Sequence, residues 1–198
     1  MSQPLLKNKS QINTIPNFLT LYRLLVGLCL PLVWVAFHSG KLVLFLIVTA
    51  GISDFLDGYL ARKLKSCTTT GKILDPIADK VLINIAFIWL LYLKKIPALL
   101  VGLVLAKDIS LGLGAILLLI KFKSRFHLSP RYLGKISTAV QLVFLVVVIS
   151  HSFFSFPVGF LLSPLILLVY TFTLLSWIDY SLIFFKVLTI SPDTVSSK

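Results

Sequence analysis

Glutamate is missing from this chain of 198 residues, and acid of any kind is scarce: seven aspartates stand against 19 lysines and arginines. Charged residues make up 13% of the chain, about half the share usual in a soluble domain. A protein kept in solution by acidic surface is thereby excluded. So is an EF-hand at "DFLDG", 55–58 with its preceding aspartate, which lacks both alternating oxygen ligands and a closing glutamate. Cysteine is rare too. Cys29 and Cys67 fit no metal or redox spacing and give no disulfide framework. The N-terminal stretch "MSQPLLKNKSQINTIPN" is polar for too long to read as a signal peptide, and without arginine it is a poor transit peptide. Neither an internal repeat nor a low-complexity segment is evident. A net charge of +12 would suggest nucleic acid in a soluble protein, but no nucleic-acid-binding motif accompanies it, and no nucleic-acid partner is expected.

What the chain does have is apolar residues in long runs. Hydrophobic residues reach 58%, against roughly 45–50% in soluble domains. Since a membrane-spanning helix needs about 20 mostly apolar residues, the sequence predicts six spans, at 18–37, 41–61, 73–93, 96–120, 133–155 and 157–187, with Pro164 kinking the last near its start. The breaks fall at "HSGK", at "KK" before Pro97, at "KFKSRFHLSPR" and at Pro157. The expected fold is an all-α integral membrane bundle forming a single domain over 18–187, between a polar N-terminus (1–17) and a polar tail (188–198).

Basic residues set the expected orientation. Lys7, Lys9, Arg62, Lys63, Lys65, Lys72, Lys121, Lys123, Arg125, Arg131, Lys135, Lys186 and Lys198 would share one side, leaving only Lys41, Lys94 and Lys95 on the other. Both termini and the loops 62–72 and 121–132 should therefore face the cytoplasm, where basic charge also attracts anionic lipid head groups.

Against this background the stretch "SDFLDGYLARKLKSCTTTGKILDPIADK", 53–80, stands out. It carries four of the seven aspartates, Asp54, Asp57, Asp75 and Asp79, at the edges of two apolar segments. Asp54 and Asp57 have helical i, i+3 spacing and Asp75 and Asp79 have i, i+4, so each pair shares one helix face. A short loop would make the two helices antiparallel neighbours whose acidic faces can converge. Four packed carboxylates repel unless a cation joins them or some protonate. All are hard oxygen donors, which favour Mg²⁺, Mn²⁺ or Ca²⁺ over zinc. Between them Arg62, Lys63, Lys65 and Lys72 make the loop basic, so the expected substrate is rich in phosphate. Gly58, Ala61 and Gly71 are small enough for a ligand to approach the helix backbone.

The fixed positions Asp54, Asp57, Gly58, Ala61, Arg62, Gly71, Asp75 and Asp79, at these spacings, resemble the full signature of the CDP-alcohol phosphotransferases (CDP-alcohol phosphatidyltransferases). "TIPNFLTLYRLL", 14–25, is similar to the first-helix entry of the phosphatidylglycerophosphate synthase and CMP-forming cardiolipin synthase branch. The likeness covers most of the chain and thins after about residue 145. It implies a six-helix fold and an enzyme of phospholipid biosynthesis, in which a CDP-linked lipid such as CDP-diacylglycerol is attacked by an acceptor hydroxyl and CMP leaves. It implies that Asp54, Asp57 and Asp75 bind Mg²⁺ or Mn²⁺, and that Asp79 is the general base and also touches metal. Gly58, Ala61, Arg62 and Gly71, beside Asp54, Asp57 and Asp75, would accommodate CDP. A homodimer at the bacterial inner membrane, with its site on the cytoplasmic face, is a further implication.

The acceptor rests on fewer residues. Phosphatidylglycerophosphate synthases tend to carry Arg-Glu in the fourth helix and Gly-Lys-x-Lys-Thr before the fifth. This chain has Lys107-Asp108 and "GKISTAVQL", 134–142, which keeps Lys135 but replaces the second lysine by Ser137. The pattern looks more like the cardiolipin synthases, with phosphatidylglycerol as acceptor; glycerol 3-phosphate is the alternative. Arg23, Arg131 and Lys135 are candidate contacts to acceptor phosphate. Plainer readings exist for each feature. Arg23 and Asp179 could form a structural ion pair, Lys107 and Asp108 could orient a neighbouring helix, and the basic loops could serve orientation alone. Trp34, Trp89 and Trp177 read as packing or interfacial anchors, and His38, His127 and His151 as incidental. A transporter is the distant rival, but it would distribute acids along a crossing path and show an inverted repeat.

Overall fold

The computed structural model describes the backbone over residues 15–64, 69–122, 132–154 and 157–188, and side chains over 18–53, 77–118, 132–154 and 157–186. Among these residues all regular structure is helical: α1 (Ile15–Phe37), α2 (Gly40–Leu64), α3 (Thr69–Tyr92), α4 (Ala98–Phe122), α5 (Tyr132–Phe154) and α6 (Leu162–Leu188), with a 3-10 turn at Gly159–Leu161. Each expected span has its helix. Four stretches, Phe18–Phe37, Ala98–Leu118, Tyr132–Phe154 and Gly159–Lys186, are long and apolar enough to cross a membrane, as befits a membrane protein. α2 adds a shorter apolar stretch, Gly40–Ser53, and the described side chains of α3 begin only at Ile77. Exposed Leu28, Leu32, Val35, Phe45 and Leu167 are what helices immersed in hydrocarbon present outward.

Local chemistry explains the breaks. At "HSGK" a single non-helical dipeptide suffices. His38 takes a left-handed φ of 47° and donates its N–H to the Trp34 carbonyl at 2.8 Å, closing α1. Ser39 then opens α2, its Oγ accepting from the Leu42 N–H at 3.4 Å. After α3, Lys94 has φ 56°. The Lys94 and Lys95 N–H groups bond the carbonyls of Leu91 and Leu90 at 2.8 and 3.0 Å, a Schellman ending, with Pro97 just beyond it. α6 begins at Leu162, which puts Pro164 in its first turn, where a missing N–H leaves no intrahelical bond unmade. Prolines do stand inside helices at Pro31, in α1, and at Pro76, in α3.

The chain divides into two compact units, Met1–Ile85 and Ala86–Lys198. In the first, α1 packs along α2, and Val26, Ala50 and Leu82 form a buried cluster with Tyr22 and Leu46 against it. Tyr22 Oη and Thr49 Oγ1 share a hydrogen bond of 2.8 Å. In the second, α6 packs on α5 and α4. Phe87 stacks on Phe144, and Trp89 on Phe153, at centroid distances of 5.9 and 6.0 Å; Trp89 is thus a packing residue. Gln141 Nε2 donates to Thr173 Oγ1 at 3.1 Å between α5 and α6. Such bonds are worth on the order of 1 kcal/mol in membranes, so close packing at small residues carries much of the association.

Candidate active site

The site grows out of the first unit. Asp54 and Asp57 stand in the C-terminal half of α2, Asp75 and Asp79 in the N-terminal half of α3, on either side of residues 65–68. Both segments are tied to one core. Ala50 lies one turn before Asp54 and Leu82 one turn after Asp79, and Ala50 and Leu82 belong to the same buried cluster. Ser53, nearly buried, turns its hydroxyl onto the Ala50 carbonyl at 2.8 Å, so it needs no partner beyond its own helix. The side chains of Asp54, Asp57, Gly58, Ala61, Arg62, Gly71 and Asp75 lie outside the described ones. Among the described side chains no group of three or more metal-binding residues occurs. The donor chemistry of the four aspartates nonetheless fits a hard divalent ion, because every donor is a carboxylate oxygen and neither histidine nor cysteine is in the motif.

Asp79 is the motif carboxylate whose surroundings are described. Its side chain is 27% exposed, and Oδ1 accepts from Nη1 of Arg23 on α1. Arg23 itself is fully buried. Asp79 is a partner that the sequence does not suggest for Arg23. Nothing local signals this pairing, since the residues are 56 apart in sequence.

The remaining candidates belong to the second unit. Lys107 is 1% exposed and lies 3.3 Å from the 3%-exposed Asp108 carboxylate. Its ammonium also donates to Ser137 Oγ of α5 at 3.3 Å. Adjacent helical residues diverge by about 100°, but the long lysine stem folds back far enough to pair with its neighbour. Ser137 is therefore committed to a buried helix–helix contact. Lys135, two residues earlier, is exposed. Arg131 lies outside the described residues.

A family model described as CDP-alcohol phosphatidyltransferase matches residues 13–184. The chain is 36% identical over 178 residues to the CDP-diacylglycerol–glycerol-3-phosphate 3-phosphatidyltransferase of Aquifex aeolicus, covering 88% of this chain and 97% of the relative. It is 30% identical over 194 residues to the cardiolipin synthase (CMP-forming) / mitochondrial hydrolase fusion protein of Schizosaccharomyces pombe, covering 91% of this chain but only 32% of that longer protein. To the probable cardiolipin synthase (CMP-forming) of Drosophila melanogaster it is 35% identical over 153 residues, covering 69% of this chain and 47% of the relative.

Proposed function

Because the chain belongs to the CDP-alcohol phosphatidyltransferase family, we propose that it transfers the phosphatidyl group of CDP-diacylglycerol to a hydroxyl of a glycerol-based acceptor and releases CMP. The observation that carries this reading is the complete aspartate motif, spread over the C-terminal half of α2 and the N-terminal half of α3. Gly58, Ala61, Arg62 and Gly71, with Asp54, Asp57 and Asp75, would receive the CDP moiety. Asp79 would accept the proton of the attacking hydroxyl as the new oxygen–phosphorus bond forms and the bond to CMP breaks. When bound at Asp54, Asp57, Asp75 and Asp79, Mg²⁺ or Mn²⁺ supplies neutralisation of the diphosphate and of the charge developing on the leaving group. Arg131 and Lys135 are the proposed cations for acceptor phosphate; Arg23, the third candidate, is buried and engages Asp79. The reading treats 18–187 as one catalytic domain in a homodimer, with its site at the cytoplasmic face of a bacterial inner membrane.

Phosphatidylglycerol is the acceptor we favour, which makes the product cardiolipin. Ser137 supports this. It replaces the second lysine typical of enzymes that use glycerol 3-phosphate, and it is occupied by Lys107 in a buried contact. A phosphodiester needs less positive charge than the dianionic phosphate of glycerol 3-phosphate. The second reading, glycerol 3-phosphate as acceptor, is favoured by the near full-length likeness to the Aquifex aeolicus protein. Purified protein supplied with CDP-diacylglycerol, Mg²⁺ and each acceptor separately decides between them. Cardiolipin from phosphatidylglycerol supports the first, phosphatidylglycerophosphate from glycerol 3-phosphate the second, and absence of CMP release with both sinks the reaction class.

A further inference from the structure

The aspartate motif accounts for the acids of α2 and α3 but leaves Arg23 unexplained. It is a fully buried cation in the first apolar span, a setting in which a guanidinium is costly and is retained for a role. Its contact with Asp79 is held by the way α1 is seated. One turn beyond Arg23, Gly27 lies against Leu82, one turn beyond Asp79. A Cβ on Gly27 would stand 2.9 Å from Leu82 Cα and 3.1 Å from Leu82 N. Those are backbone atoms, so nothing there can swing aside. The close approach of α1 to α3 next to the ion pair is what lets a guanidinium on one helix reach a carboxylate on the other. Rotation of α1 is fixed as well, by the 2.8 Å bond between Tyr22 and Thr49 and by Val26 in the cluster with Ala50 and Leu82.

The exposure of the two partners differs in an informative way. Arg23 is 0% exposed, whereas the Asp79 side chain is 27% exposed. A pair serving stability alone would bury both groups, and an arginine presented to a soluble acceptor would be the open member. Here the cation is inside and the acid is at the opening. We infer that Arg23 is a positioning residue that holds the Asp79 carboxylate for its part in the reaction, with Gly27 setting the α1–α3 distance that makes the contact possible. This inference rests on Asp79 acting as the base in the proposed transfer.

Full-length protein in detergent or nanodiscs tests it through Arg23→Gln, Arg23→Lys and Gly27→Ala, with kcat and acceptor KM measured beside CDP-diacylglycerol affinity. Misplacing a catalytic group by about 1 Å can cost on the order of 100-fold. Arg23→Gln should therefore lose roughly 10- to 100-fold in kcat, while acceptor KM and CDP-diacylglycerol affinity change by less than about threefold. Arg23→Lys should recover part of the loss, and Gly27→Ala should lower kcat with the same selectivity. In an Asp79→Asn background Arg23→Gln should add nothing further, because groups acting as one unit are not additive. Additive losses in that double variant, a raised acceptor KM with kcat kept, or wild-type kcat in folded Gly27→Ala would each overturn the inference. A wild type that releases no CMP would overturn the proposed reaction itself, and is told apart because the other outcomes require an active parent.

Discussion

Carboxylates grouped on apolar helices are tolerated only when something offsets their mutual repulsion, and the charge of each can be removed by a change of one atom. Asp57→Asn should abolish CMP release yet leave a folded protein, since it relieves repulsion in the metal-free state; wild-type turnover, or full wild-type activity in excess EDTA, would sink the metal assignment. Asp79→Asn should lose about 10²- to 10⁴-fold in turnover, the scale of a general base, while retaining CDP-diacylglycerol affinity. Asp75→Asn should lose both. Equal loss of nucleotide-lipid affinity in the two would make Asp79 chiefly a ligand. The motif was legible because its spacing is local. The partner of Asp79 was not, because Arg23 reaches it only through the crossing of α1 and α3 at Gly27, a tertiary fact that no helical period encodes. The Lys107–Asp108 pair was missed for the opposite reason: neighbours on a helix point apart, and only a long flexible side chain defeats that geometry.

Helices were easier to read than their exact ends. Apolar runs between basic or proline-marked breaks located all six, because burying a backbone in hydrocarbon demands helix. The ends depend on single caps, such as His38 with Ser39 and the turn at Lys94, and they moved by a few residues. The contacts between helices then differ sharply in what they contribute. Gln141 is fully buried, and its Oε1 has no hydrogen-bond partner among the described residues, while its Nε2 bonds Thr173. Gln141→Leu exchanges one interhelical bond for relief of an unsatisfied oxygen, so stability should change by less than about 1 kcal/mol. Gly134 instead lies where a Cβ would stand 2.8 Å from Tyr180 Oη and 3.0 Å from its ring. Gly134→Val must displace the Tyr180 ring from its place between α5 and α6 and should cost about 1–3 kcal/mol. Unfolding in mild detergent followed for both variants checks the order; a Gln141→Leu protein less stable than Gly134→Val would show that polar bonds, not close packing, hold these helices.

At the scale of the whole chain the governing quantity is the sign of its charge. A net +12 concentrated in the segments 62–72 and 121–135 and at both termini is the pattern by which multi-pass proteins keep loops in the cytoplasm. On the proposed orientation it would also draw anionic lipid to the face where a phosphate-rich substrate would be bound. Orientation and site location are thus one claim, and one residue tests both. Cys67 lies in the basic segment between the two aspartate pairs. The other cysteine, Cys29, sits exposed on α1 within an apolar span and is removed by Cys29→Ser without touching the motif. In that variant a membrane-impermeant thiol reagent should label Cys67 in inverted membrane vesicles, where the cytoplasmic face is outward, and leave it unlabelled in intact cells. Labelling in intact cells instead would place the aspartates on the outer face. That result would separate the site from the cytoplasmic pool of CDP-linked substrate and turn the basic segments into something other than an orientation signal.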